Sequence, residues 1–400
     1  MSGKLGSEQN PLRVAIVGSG PSGFYAAEAL FRSGYIVSVN MLERLPAPYG
    51  LVRNGVAPDH PKLKEAILVY DRIARTPNFN FFGNVMVGRD VSIHDLRGTH
   101  HAVIFACGAE TDRQLGIAGE ELPGSHTATE FVGWYNGHPD YRDHTFDLSQ
   151  QVAVIVGQGN VAADVCRILA KPVDELRHTD IAEHALEVLA GSKVRAIHVV
   201  GRRGPAQAKF TSKELRELGD VTDCDPVVAP EDLILNPESE TELSDKNNTN
   251  NAKNVGIFQS FAARSNGSKP RRIFFHFLRT PVALVGDQRL ERVVLAKNHL
   301  EGGPFHQVAR ETNEMLELQC GLLFRSIGYK GIPIPDVPFD EGRGIFPNRD
   351  GRLLNGSDSV SVGLYATGWI KRGPTGVIGT NRADSVATVK ALIEDLSVLP

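Results

Sequence analysis

The sequence predicts an α/β protein built around two βαβ units, and three observations carry that reading. A strand, a glycine turn and a helix open the chain; the same succession begins again near residue 151; and a buried strand returns near 363–367 ahead of another glycine-rich turn. Taken in order, Arg13–Val17 reads as a strand, Ser22–Ser33 as a helix and Ile36–Leu42 as the next strand. The Pro/Gly-rich stretch 46–61 reads as a long ordered loop, followed by a helix near Lys62–Thr76 and short β pieces over 79–93. His101–Ala109 reads as a buried strand entering a tight turn. In the second unit Val152–Val156 is a strand, Val161–Ala170 a helix, Val194–Val200 a strand and Thr211–Leu218 a helix. Residues 236–255 are polar, nearly free of large apolar side chains, and read as a mobile surface loop. Strands near 272–285 and 290–296 suggest a meander, and Gly363–Thr367 is a strand before a closing helix from about Gly376. No repeat of 20–50 residues is present.

Composition narrows the function classes. The 400 residues suit two or three domains, and 41% apolar with 22% charged residues exclude a largely disordered chain. A formal charge of −4 lacks the basic excess of a nucleic-acid binder. No apolar run reaches the roughly 18–20 residues of a bilayer span, and the N-terminal stretch lacks the apolar core of a secretory signal. Cys107, Cys166, Cys224 and Cys320 are scattered, with no C-x-x-C. That spacing encodes no local redox dithiol and no clustered metal site, and suits reduced thiols in a cytosolic or matrix protein.

The first glycine turn, VAIVGSGPSG, places Gly18, Gly20 and Gly23 as G-x-G-x-x-G between a strand and a helix. Gly18 suits the tight turn, Gly20 close approach of a pyrophosphate, and Gly23 close packing of helix on strand. Glu43 stands twenty residues after Gly23, at the end of the second strand, where a carboxylate accepts hydrogen bonds from a ribose diol and repels a 2′-phosphate. This site predicts FAD or NAD rather than NADP. The second turn, VAVIVGQGNVAADV, carries Gly157, Gly159 and Ala162, and its next strand ends in Arg202 and Arg203. Guanidinium forks suit a phosphate, so this site predicts NADP(H), unless the two arginines are only a solvated basic pair. Two such sites in one chain imply hydride transfer between two bound cofactors.

These residues, with the blocks GLVRNGVAPDHPKLK, FVGWYNGHPD, VGRRGPAQAKFTSKELREL, SIGYKG and GWIKRGPTGVIGTN, resemble the adrenodoxin reductase-type ferredoxin–NADP reductases of mitochondria and bacteria, from about residue 12 onward. The resemblance implies a glutathione reductase-like pair of Rossmann-like domains, with the NADP-binding domain (111–319) inserted into a discontinuous FAD-binding domain (1–110 and 320–400). It implies FAD contacts at Ser22, Glu43, Leu51 and Val85, with Trp369, Gly376, Val377 and Ile378 at the isoalloxazine; Trp369 also reads as a packing aromatic. If Gly376–Ile378 opens the last helix, its N–H groups suit negative charge on a flavin. NADP contacts are implied at Gln158, Gly159, Asn160 and Val161, at Arg202 and Arg203, and at Glu214.

The ionisable residues expected near the reacting rings are His60, Asp164 and Glu214, with Asp164 expected to hydrogen-bond His60; His60 reads equally well as a satisfied structural histidine. The implied activity passes hydride from NADPH to flavin N5 and then single electrons to an acidic ferredoxin-type iron–sulfur protein, with a cytochrome P450 as a downstream acceptor. Lys209, Lys213, Arg216, Arg264, Lys269, Arg271 and Arg272 are candidates for a basic docking face, or are scattered solvated charges. A monomer is expected, in the bacterial cytoplasm or, for a eukaryotic chain, the mitochondrial matrix. A flavoprotein disulfide reductase needs a cysteine pair that is missing, and the small subunit of glutamate synthase carries a cysteine-rich segment that is missing too. A non-catalytic dinucleotide-sensing module and an NADPH-oxidising subunit of a larger complex are the remaining alternatives.

Overall fold

A computed structural model describes residues 4–264 and 267–400. The chain divides into two compact units. The first takes in the chain up to Val56, then His60–Arg113 and Gly328–Pro400; the second takes in Gln114–Ile327 together with the short stretch Ala57–Asp59.

The first unit is built on a seven-stranded sheet. Phe79–Phe82, Val37–Leu42, Leu12–Val17, Ala102–Phe105 and Val360–Ala366 run parallel in that spatial order. The antiparallel pieces Arg352–Leu354 and Asn348–Arg349 finish one edge. Val14–Val17 and Ala102–Phe105, at the centre of the sheet, are apolar and buried, as strands covered on both faces must be. Helices Pro21–Phe31 and Thr380–Glu394 pack together on the sheet: Ser22 Oγ donates to Asn381 Oδ1 (3.1 Å), and Ser385 Oγ donates to the Ser22 carbonyl (3.0 Å).

The second unit holds a six-stranded, all-parallel sheet. Its order is Ser125–Thr127, Leu322–Arg325, Val152–Val156, Ala196–Val200, Arg271–His276 and Cys224–Val228. A separate antiparallel meander is made by Arg279–Val285, Arg292–Glu301 and Val308–Gln319. The expected meander is therefore displaced along the chain. Arg271–His276 joins the parallel sheet, and the third meander strand, VARETNEMLELQ, gives no alternation because it is exposed or half-buried along its whole length.

Two expectations need correction. Residues 236–255 do not form a loop; they fall into helices Pro237–Ser244 and Thr249–Ala262. Asn236 caps the first, accepting the Ser239 N–H on its side-chain oxygen (2.9 Å), with Pro237 in the opening turn. The second is held by amides rather than by an apolar stripe along its first turns. Asn250 and Asn254 donate to the Phe210 carbonyl (2.8 and 2.7 Å), and Asn251 donates to the Ala206 carbonyl (2.7 Å). Polar composition signalled solvent where these side chains in fact meet backbone. The last helix begins at Thr380, not at Gly376. Gly376 has φ +85° and a Cβ there would lie 2.3 Å from Thr380 Oγ1, so Gly376–Ile378 forms the turn ahead of the helix.

Candidate functional site

Each unit carries a glycine turn at the point where its strand order reverses, which is where open α/β sheets bind ligands. In the first unit Gly18 has φ +104°, and a Cβ there would lie 2.6 Å from the Ala106 carbonyl oxygen on the neighbouring strand's exit. A Cβ on Gly23 would lie 2.2 Å from the Gly18 carbonyl oxygen, so helix and turn pack backbone to backbone. Gly20 differs from both: a Cβ there would meet nothing within 4 Å. In the second unit Gly157 has φ +137° and its Cβ would lie 2.1 Å from the Ser326 carbonyl oxygen, while Gly159 faces open space. Ala162 stands fully buried where the third glycine stands in the first unit.

Among the described α-helices, Ile93–Thr99, Ala128–Tyr135, Ser212–Leu218 and Pro237–Ser244 begin with a side-chain cap from Ser92, Thr127, Thr211 or Asn236, and the others do not. Helices Pro21–Phe31 and Asn160–Ala170 begin at Gly20 and Gly159, with no side-chain cap. Their first-turn N–H groups, open space beside the middle glycine and the positive end of the helix dipole together fit an anion such as a pyrophosphate.

The surroundings of the two turns carry opposite charge. Glu43 is pinned beside the first turn: Ser19 donates to its Oε2 from both N–H (3.0 Å) and Oγ–H (2.6 Å), and the Leu45 N–H donates to Oε1 (3.0 Å). Tyr49 (φ +92°) and Gly50 (φ +50°) bring the next loop against this turn, so that a Cβ on Gly50 would lie 2.9 Å from the Gly20 Cα. Leu51 is exposed at the head of that loop's short helix, and Val85 is half-buried against the core on the other side of the sheet. Trp369 stacks on Tyr329 with ring centres 5.6 Å apart and donates its indole N–H to the Thr375 carbonyl (3.1 Å), while Val377 is exposed. Replacing Glu43 with alanine is expected to lower flavin retention, because three donors lose their acceptor at the turn; equilibrium dialysis of the purified variant measures it, and full retention would remove Glu43 from the site.

Beside the second turn, Gln158 donates from its amide to the His276 carbonyl (3.3 Å), and Asn160 Oδ1 accepts the Thr211 N–H (2.8 Å). Val161 packs on the core of this unit. Arg202 is exposed and Arg203 half-buried at the end of Ala196–Val200. Burial and then the neighbouring Arg202 push the Arg203 guanidinium pKa down, and Glu242 opposes them. Asn298 fixes the backbone there by donating to the Arg202 carbonyl (2.7 Å). Buried Glu242 accepts from the side chains of Gln207 and Gln307, each at 2.8 Å, on one wall of a small cavity shared with Arg203 and Lys209.

Asp164 and Glu214 converge on one buried cation that sequence reasoning missed. Arg167, in the helix after the second turn, is 1% exposed. Its NH1 donates to Glu214 Oε2 (2.8 Å), its NH2 to Asp164, and its Nε and NH2 to the two oxygens of Asp59 (2.9 and 3.3 Å). Lys171 Nζ lies 2.8 Å from Asp59 as well. Burial raises the Asp59 carboxyl pKa, but Arg167 and Lys171 outweigh it and hold it well below the usual carboxylate range. The available signal was an arginine within VAADVCRILA, in the stretch Val165–Ala170 that is otherwise apolar and is buried throughout. His60 follows Asp59 directly and starts the short helix Pro61–Lys64.

Of the basic candidates, Lys209, Lys213, Arg216, Arg264 and Arg272 are exposed, and Lys269 and Arg271 half-buried. Arg264 donates to the Gly219 carbonyl (2.8 Å), Lys269 to the carbonyls of Val221 and Cys224, and Arg271 to that of Ala170 (3.4 Å). None of the described helices is long and apolar enough to cross a membrane.

No protein-family model matches the chain. Among curated proteins it is 46% identical over 392 residues to the NADPH-ferredoxin reductase FprA of Mycobacterium tuberculosis, spanning 96% of this chain and 84% of that one. It is 42% identical over 402 residues to the mitochondrial NADPH:adrenodoxin oxidoreductase of Arabidopsis thaliana, spanning 98% and 83%. The solved structure of Mycobacterium tuberculosis FprA in complex with NADPH superposes with a TM-score of 0.92 at 45% identity, over 97% of this chain and 85% of that one. Thioredoxin reductase from Lactococcus lactis shares the fold at a TM-score of 0.51 and 15% identity.

Proposed function

Because the chain belongs to the adrenodoxin reductase-type ferredoxin–NADP reductases, we propose that its first unit holds FAD at the Gly18–Gly23 turn and its second unit holds NADP(H) at the Gly157–Ala162 turn. The activity is NADPH-dependent reduction of a ferredoxin. Bound FAD supplies the conversion of a two-electron hydride donor into a one-electron supply.

The observation that carries the assignment is the contrast between the two uncapped turns, one flanked by a pinned carboxylate and the other by paired guanidinium groups. Glu43 orients the ribose of the first dinucleotide and, by its charge, rejects one bearing a 2′-phosphate. Arg202 and Arg203 select the phosphorylated dinucleotide at the second. Gln158, Asn160 and Val161 hold its pyrophosphate through the turn and the helix start. Trp369, stacked on Tyr329, and the Gly376–Ile378 turn wall the isoalloxazine, and Glu214 with His60 lie at the nicotinamide end. The exposed Lys209, Lys213, Arg216 and Arg272 support steering of an acidic ferredoxin toward the second unit. A cytochrome P450 further downstream, a monomeric state and a cytoplasmic location complete the proposal.

The test is an absorption spectrum of the purified protein, followed by anaerobic addition of NADPH and, separately, NADH. Bands at about 450 nm, as flavins absorb, are expected to bleach faster with NADPH. A protein that cannot be loaded with FAD, or bands that NADPH leaves untouched, would sink the reading.

A further inference from the structure

The geometry points to Arg167 as a positioning residue for hydride transfer, one guanidinium that fixes both Glu214 and Asp59. This inference rests on the functional reading above and adds to it a residue that touches neither cofactor.

Every nitrogen of the Arg167 guanidinium is committed, and each edge of the fork meets a different carboxylate. The Nε–NH2 edge grips Asp59 through both oxygens, NH2 also reaches Asp164, and NH1 reaches Glu214, with Glu217 at 3.9 Å. The four groups come from three separate parts of the chain. Arg167 and Asp164 lie on the helix after the second glycine turn, Glu214 lies on helix Ser212–Leu218, and Asp59 lies 108 residues earlier in sequence than Arg167. The side chains of Arg167 and Asp59 are 1% and 4% exposed, so water does not compete for these bonds.

Stability alone does not account for so specific an arrangement. Replacing a buried ion-pair cluster by well-packed apolar residues of similar volume is often neutral or stabilising. What the arrangement achieves is registry. Asp59 is the last of three residues that leave the first unit's sequence to join the second, and His60 resumes the first unit immediately afterwards. The planar cation holds the Asp59 carboxylate at one edge and the Glu214 carboxylate at another, so Glu214, assigned to the nicotinamide end, is referred to a single rigid fork. Hydride transfer depends on alignment of the donor and acceptor carbons more than on a general base, and a displacement of about 1 Å in a supporting group costs on the order of a hundredfold in rate.

The discriminating variants are Arg167→Lys and Asp59→Asn in the full-length, FAD-loaded protein. Lysine keeps the buried positive charge, but its single ammonium cannot bridge three carboxylates in the geometry of a planar fork. Flavin content, thermal midpoint, NADPH dissociation constant and the limiting rate of anaerobic flavin reduction at saturating NADPH are measured for each. The expected result is a fall of roughly ten- to a hundredfold in the limiting rate for Arg167→Lys, by the alignment argument. Flavin content is expected to stay stoichiometric and NADPH affinity to change little, since Arg202 and Arg203 are untouched. Asp59→Asn, which keeps shape and removes the charge, is expected to move the limiting rate in the same direction, and it decides the matter if Arg167→Lys does not fold. Lower thermal midpoints with limiting rates equal to wild type in the folded variants would overturn the proposal. A wild-type flavin that NADPH fails to reduce would overturn the parent reading instead, and the two failures are told apart by that control.

Discussion

Replacing Arg202 and Arg203 together with alanine is expected to lower kcat/KM for NADPH by about 10²- to 10⁴-fold while leaving kcat/KM for NADH nearly unchanged. A hydrogen bond to a charged group is worth about 1.5–3 kcal/mol, and about 1.4 kcal/mol is a factor of ten. Two such contacts therefore bracket that range, with the lower end favoured because adjacent residues do not contribute additively. The two guanidinium groups already repel one another, and Arg203 is half-buried with its pKa pushed down by that burial and by Arg202. A dianionic phosphate relieves the repulsion, which a ribose hydroxyl cannot do. Glu242 opposes the downward push on Arg203 and is itself held by Gln207 and Gln307. Steady-state kinetics with both nucleotides and an artificial electron acceptor measure the ratio. A variant with an undiminished preference for NADPH would show that the 2′-phosphate is read elsewhere.

The second large effect is expected from the first glycine turn. Gly18→Ala should yield a destabilised protein that purifies without flavin. The residue sits at φ +104°, where a left-handed backbone costs an L-residue about 1–2 kcal/mol. Its new methyl would lie 2.6 Å from the Ala106 oxygen and 2.9 Å from the Cys107 Cα, both backbone atoms that cannot rotate away. Overpacking of that kind costs typically about 1–3 kcal/mol more. Gly20→Ala is the informative companion. Its methyl meets nothing within 4 Å, so the apoprotein should keep its stability and lose only affinity for FAD. Thermal denaturation of the apoproteins and the flavin-to-protein ratio after reconstitution separate the two. Full flavin binding by Gly18→Ala at wild-type stability would refute the steric account, and full binding by Gly20→Ala would place the pyrophosphate away from this turn.

These glycines were legible in the sequence because their spacing follows from backbone geometry within a few residues, where strand, turn and helix are all local. The charge that distinguishes the two turns was legible because Glu43, Arg202 and Arg203 each follow the next parallel strand, which pairs directly with the strand that leads into the turn. The helices over 237–262 were illegible because what they bury up to Asn254 is polar, Ser239, Glu242 and Asn254, and the apolar Val255, Phe258 and Phe261 come only in the later turns, so no apolar period marks their start. The Arg167 cluster was illegible because its members are far apart in sequence and no local pattern joins Asp59 to Arg167. Asp164 and Glu214 were singled out from the sequence; the arginine that joins them to Asp59 was not.

The three-residue excursion Ala57–Asp59 bears on any attempt to cut this molecule into parts. Residues 114–327 look like a self-contained insert that begins and ends at neighbouring points of the chain, the sort of module that invites excision or grafting onto another host. Such a fragment would carry Arg167 and Lys171 away from Asp59; Asp164 and Glu214 would still face the guanidinium, but its buried Nε edge would lose its acceptor, and an unsatisfied buried donor costs about 1–3 kcal/mol. The working unit of exchange in this fold is therefore the insert plus a carboxylate that the host chain must contribute, and a chimera that respects only sequence continuity omits it.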